Sequence, residues 1–185
     1  MKVEVDYISA ACNQAPHVLA LRNETLIYGA CNAVIEVSID SENKCMKTKR
    51  SAVGHSDRVN CVRWLDDDYF VTGATDKTVC LWKNLEVLAT LKGHEESVTC
   101  VDGLIGHGLI VSGSADSSLK IWRKNSEESW SCCQSIPCPK QGFVLDISVI
   151  ESNSMSPWVI ASYDDCSIKI YALLSDHFEC IHTLK

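Results

Sequence analysis

The side chains best suited to chemistry in this sequence are His94, Ser112 and Asp116, the three types that make a hydrolase triad. In a triad the carboxylate orients the imidazole, which takes the hydroxyl proton as the serine attacks a carbonyl. The spacing speaks against that chemistry. The same set recurs as His55, Thr72 and Asp76, with 39 residues between the histidines and 40 between the aspartates. A chain has no use for two nucleophiles at a structural period, and Ser112 lies on no strand-to-helix elbow. Each set is completed six residues after its aspartate by a tryptophan, Trp82 or Trp122. The four side chains can then satisfy one another. The aspartate accepts from one ring N–H, the other ring nitrogen accepts from the hydroxyl, and the hydroxyl oxygen accepts from the indole. His55, Thr72, Asp76 and Trp82, and His94, Ser112, Asp116 and Trp122, are therefore read as two structural tetrads. No catalytic, cofactor-binding or metal residue is assigned, and the chain is expected not to be an enzyme.

Other candidates carry less. Cys132, Cys133 and Cys138 form the densest cysteine group, but no CxxC pair or histidine spacer accompanies them, so a loop between units is expected rather than a metal site. Asp66, Asp67 and Asp68 read as a solvated turn, and His107, between two glycines, as a hairpin turn. Trp130 and Trp158 fall outside the tetrads and read as core or edge anchors. No glycine-rich phosphate loop occurs.

The elements that would position the tetrads are short strands in a repeat near 40 residues. Gly54-His55, Val71-Thr72-Gly73 and Val79-Cys80-Leu81-Trp82 are matched by Gly93-His94, Val111-Ser112-Gly113 and Leu119-Lys120-Ile121-Trp122. A degenerate unit precedes them, with Asn32 in the aspartate place. Another follows, with Ala161 for the hydroxyl residue, Asp165 for the aspartate, Tyr171 for the tryptophan and no Gly-His. Its tetrad cannot form, so that unit is expected to hold by packing alone. The approximate bounds are 16–50, 54–92, 93–135 and 139–185. The runs 58–65, 69–73 and 78–83 have strand length and β-branched or aromatic content. They are apolar on consecutive residues, which fits sheets covered on both faces, and Cys61, Cys80 and Cys100 inside them behave as small hydrophobes. No helix longer than a turn is expected.

Composition narrows the function classes. The 185 residues carry 17 Lys and Arg against 24 Asp and Glu, a net charge of −7. The chain therefore lacks the footprint of a duplex-binding module. The basic run Lys44, Lys47, Lys49 and Arg50 reads as a solvated loop; with Lys83 and Lys92 it is where direct RNA contact would be sought. No stretch is apolar enough to span a membrane, and Glu4 and Asp6 argue against a signal peptide. Eleven cysteines, an odd number, then read as reduced thiols in the cytosol or nucleus.

Gly-His, a turn aspartate and a tryptophan six residues on, at a period near 40, resemble the WD40 repeat family. The resemblance covers residues 16–185, strongly in the two central units. The Trp-Asp dipeptide itself is absent, since Lys83 and Arg123 follow the tryptophans. It implies an all-β propeller, here about four blades of an incomplete ring that has seven in relatives. Residues 54–64, 109–117 and the degenerate Gly142-Phe143-Val144-Leu145 and Asp164–Tyr171 narrow it to one kind of WD40 protein. That kind is a non-catalytic scaffold in an assembly that modifies the wobble uridine of transfer RNAs. The implied partners are the largest subunit and a radical-SAM acetyltransferase subunit. The implied location is the cytoplasm, with a nuclear pool. Iron–sulfur, SAM and acetyl-CoA would belong to the acetyltransferase subunit, and no cofactor is expected here. The alternative is an unrelated WD40 adaptor, such as a ubiquitin-ligase substrate receptor. In such rings the Gly-His loops and aspartate turns share one face, which makes Asp57, Arg58, Lys77, Glu95 and Glu96 the candidate contact residues. Ile181–Lys185 stops where the next Gly-His is due, which reads as truncation at a repeat boundary. Four blades alone are expected to be marginally stable or sticky.

Overall fold

The computed structural model describes residues 5–6, 13, 15–127, 129–138, 142–151 and 156–185. The expected start of the fourth unit, at 139, lies outside them. The architecture is all-β: four antiparallel sheets stand side by side as propeller blades. The first holds β1 (Val5–Asp6), β2 (Leu19–Arg22), β3 (Thr25–Ala30), β4 (Ala33–Asp40) and β5 (Cys45–Val53); β1 joins the outer edge of β5 in parallel. The second holds β6 (Val59–Trp64), β7 (Tyr69–Ala74), β8 (Thr78–Lys83) and β9 (Glu86–Lys92). The third holds β10 (Val98–Leu104), β11 (Leu109–Ser114), β12 (Ser118–Lys124) and β13 (Trp130–Pro137). The fourth holds β14 (Val144–Glu151), β15 (Pro157–Tyr163), β16 (Ile168–Leu174) and β17 (His177–Leu184). The one helical element among the described residues is the 3-10 turn Ile105–His107, which contains the expected His107 turn.

Two sequence expectations are corrected. Lys47, Lys49 and Arg50 lie on the outer strand β5 rather than in a loop, because β4 gives that segment a full hydrogen-bonded partner. Cys132 and Cys133 likewise lie on β13, opposite β12.

Each layer contact is built the same way. Val59, Val98 and Val144 open the innermost strands of the second, third and fourth sheets, and all are fully buried. Each packs on a glycine of the preceding sheet: a Cβ on Gly29, Gly73 or Gly113 would come within 2.9, 2.4 or 2.6 Å of that valine. A side chain on the preceding layer then donates to the valine's carbonyl: Asn13 Nδ2 to Val59 at 2.9 Å, Asn60 Nδ2 to Val98 at 3.0 Å and Thr99 Oγ1 to Val144 at 2.6 Å. Asn60 and Thr99 are the residues left over where the inner-strand register slips, so β-bulges aim these donors across the gap. Cores formed between neighbouring sheets hold Cys61, Cys80 and Cys100. Burial pushes their thiols up, to about 11 for Cys80, about 12 for Cys100 and well above the usual value for Cys61, so they stay protonated filler.

Candidate functional site

The two tetrads close as chains of short bonds. His94 Nδ1 lies 2.8 Å from Asp116 Oδ2, His94 Nε2 lies 2.8 Å from Ser112 Oγ, and Trp122 Nε1 donates to Ser112 Oγ at 2.8 Å. In the second sheet the matching distances are 3.0 Å from His55 to Asp76, 2.7 Å from His55 to Thr72 and 2.8 Å from Trp82 to Thr72. The histidine arrives on the loop entering the sheet, the hydroxyl sits on the second strand, the aspartate on the turn and the tryptophan on the third strand.

Sequence reasoning missed a fifth member of each. Thr78 and Ser118, two residues after the aspartates, donate hydroxyl and amide to them at 2.6–3.0 Å. The Ser56 and Glu95 amides add a bond each, at 2.8 and 2.9 Å. The Asp-Lys-Thr and Asp-Ser-Ser triplets were the available signal, since a turn aspartate bonds its own chain two residues on.

Burial lowers the pKa of both histidines, and the adjacent carboxylates only partly offset it, so the rings are neutral at neutral pH. Burial also opposes ionisation of Asp76 and Asp116. The bonds from Thr78 and Ser118, the Ser56 and Glu95 amides and the histidines outweigh it and hold both below the usual carboxylate range. Ser112 and Thr72 have no exposed surface, and their oxygens are engaged on both sides. Neither can reach a carbonyl. The tetrads do not act as nucleophilic centres.

The fourth sheet differs from the expectation of packing alone. Cys138, Tyr163 and Tyr171 are all buried and form a polar knot. The two phenol oxygens lie 2.7 Å apart, and Cys138 Sγ lies 3.4 Å from Tyr163 and 3.9 Å from Tyr171. Burial and the shared hydrogen bonds push Tyr163 far above the usual phenol range, and burial does the same, less strongly, for Tyr171.

The five candidate contact residues are all exposed. Lys77 Nζ donates to the Glu95 carbonyl and stands 3.6 Å from the Glu96 carboxylate, which groups three of them. Asp57 and Arg58 line a neighbouring cleft of about 370 Å³ with Asn13, Cys31, Asn32 and Ser56. Ser56 also borders a cleft of about 590 Å³ lined by Gly54, Asp76, Lys77, Thr78, Thr90, Lys92, Gly93 and His94, so the two groups share one continuous face. No cluster of three or more His, Cys, Asp or Glu among the described residues could hold a metal ion.

Family comparison agrees with this geometry. The WD40 family (WD domain, G-beta repeat) matches residues 43–83, 85–123 and 130–172. The chain belongs to the WD40 family. Within it, Elongator complex protein 2 of Danio rerio is 28% identical over 96% of this chain, and that of Drosophila melanogaster 34% over 74%. The ribosome biogenesis protein WDR12 homolog of Caenorhabditis briggsae is 34% identical over 52%. The chain spans about a quarter or less of each relative's own length: 23%, 18% and 23%. The WD40 signature accounts for the Gly-His loops and turn aspartates. It does not account for the Tyr163–Tyr171–Cys138 knot, which stands where the signature fails.

Proposed function

We propose that this WD40 chain is part of a non-catalytic scaffold subunit of Elongator, supporting wobble-uridine modification of tRNA toward carboxymethyl-type products through protein–protein contacts. The observation that carries the reading is similarity to Elongator complex protein 2 over 96% of the chain, the degenerate fourth unit included. The geometry is compatible with a scaffold: the triad-like side chains are enclosed, and the five candidate contact residues are exposed together on the loop face. In this reading the partners are the largest subunit and the radical-SAM acetyltransferase subunit. The protein works in the cytoplasm with a nuclear pool, and the cofactors stay with the acetyltransferase subunit.

Affinity purification of the tagged protein from its own cells tests this. Recovery of the acetyltransferase subunit at near-equal amounts is expected. Recovery of cullin-type ligase components in its place would make the chain an unrelated WD40 adaptor.

A further inference from the structure

The cleft of about 590 Å³ beside the tetrad of the second sheet has a lining unlike that of a purely structural gap. Lys92, the last residue of β9, pairs with Thr78 across the sheet, next to Lys77 in the turn. Thr90, two residues before Lys92, shares its face of the strand, so its hydroxyl opens onto the same space. The Lys92 ammonium group has no hydrogen-bond or ion-pair partner among the described residues. Lys77 gives one N–H to the Glu95 carbonyl and keeps two. Its pairing with Glu96, at 3.6 Å between half-exposed groups, is weak. The one acid lining the cleft, Asp76, is engaged by His55, Ser56 and Thr78. Two ammonium groups thus converge on a space whose only lining carboxylate is already satisfied, and the hydroxyls bordering it make only long contacts, Ser56 to Asp76 at 3.5 Å and Thr90 to Cys80 at 3.8 Å.

The lysines are not required by the fold. In the third sheet the same two places are held by Ser117, in the turn after Asp116, and by Pro137, opposite Ser118. That sheet forms its tetrad without either charge.

We propose that this cleft binds a phosphomonoester, the phosphorylated serine or threonine side chain of a partner protein. Lys77 and Lys92 supply charge from two sides, and Thr90 and Ser56 supply neutral donors by exchanging their long contacts to Cys80 and Asp76 for phosphate oxygens. A phosphate monoester carries close to two negative charges at neutral pH and three acceptor oxygens, which matches two ammonium groups with hydroxyls between them. A nucleic-acid backbone fits less well. It needs a run of cations, whereas Asp57, Glu95 and Glu96 flank this cleft within the same exposed face and the chain carries −7 overall. The inference does not depend on the Elongator assignment.

The test uses the full protein as purified from cells. Its probes are a fluorescent glycine–alanine peptide with one phosphoserine, the same peptide unphosphorylated, a uridine decamer, and inorganic phosphate as competitor. Anisotropy is expected to show binding of the phosphopeptide alone, reversed by phosphate. Lys92→Gln, which breaks no contact in the fold, should weaken it about tenfold, and Lys77→Gln with Lys92→Gln further, the ordinary scale for a charge-assisted bond. Lys92→Arg should restore most of it. Absence of phosphopeptide binding at millimolar protein, affinity unchanged in Lys92→Gln, or tighter binding of the decamer than of the phosphopeptide would each overturn the proposal.

Discussion

At the scale of single residues, the hydroxyl of Thr72 or Ser112 is the hinge of each tetrad, because two neighbours depend on it. Thr72→Val keeps the volume and removes the oxygen, leaving His55 Nε2 and Trp82 Nε1 buried without partners. Each orphaned group costs about 1–3 kcal/mol. Thr72→Ser loses one methyl and keeps both bonds, at about 1 kcal/mol. Denaturant midpoints of the two variants should therefore separate clearly, and equal midpoints would show that the network adds nothing beyond packing. The same residues set the acid response. His55 and His94 titrate below 6.5 when folded, so the unfolded chain takes up protons first as pH falls. The stability they contribute is complete above about 6.5 and drains away below it. Asp76 and Asp116 are held below 3.8, and their contribution is lost later, as pH falls through their folded values. Asp102 works in the other direction. Its burial raises it despite the Val149 and Gly103 amides, so protonation there relieves a small penalty. Melting temperatures should be level between pH 8 and 7 and decline from about 6.5 downward, with a second decline below about 4. A flat profile from pH 7 to 5 would mean that the rings are not held neutral.

At the scale of elements, much of the molecule was legible because it repeats. Gly-His, the hydroxyl residue, the aspartate and the tryptophan each recur at one spacing, and chance does not keep four landmarks in step. Features without a repeating letter stayed hidden. The bulge donor is Asn60 in one sheet and Thr99 in the next, and Asn13 does the same work from a different place, so no pattern marks the role. The Tyr163–Tyr171–Cys138 knot joins a strand end, a strand centre and an interstrand loop, a conjunction that exists only after folding. The basic run 44–50 read as a loop because its lysines interrupt the apolar pattern, yet an outermost strand needs no such pattern. The fourth sheet lacks both layer-joining devices: Ser162 stands where the joining glycines were, and Leu145 where the bulge donor was. Asn60→Leu copies that state into the second sheet and leaves the Val98 carbonyl without its amide donor. It should cost about 1–3 kcal/mol and speed amide hydrogen exchange in β6 and β10 while leaving β15 and β16 unchanged. Uniform acceleration across all four sheets would show that the layers do not open separately.

At the scale of the whole 185-residue chain, the side of the fourth sheet that faces away from the third governs behaviour in solution. The strand register places Ile150, Trp158, Ile160, Ile168, Ile170 and Leu184 on one face, opposite the face that packs on the third sheet. Ile150, Ile168 and Leu184 are 42%, 39% and 48% exposed. In the first sheet Leu19 and Leu21 point away from the second and are 57% and 59% exposed. Neighbouring apolar groups at this density form a patch of the kind that associates in water. The contacts between layers, by contrast, are glycine-tight and hydrogen-bonded, so the interior of the four-sheet stack is the stable part. The two facts together predict a 185-residue chain that keeps its β content while self-associating. Sedimentation at increasing concentration should show mass rising above 20.4 kDa, with bound hydrophobic dye. Ile168→Lys with Leu184→Lys, on the exposed face and away from every layer contact, should return the chain to a monomer with an unchanged melting profile. A wild-type chain that stays monomeric at high concentration and melts cooperatively would show that this face needs no cover.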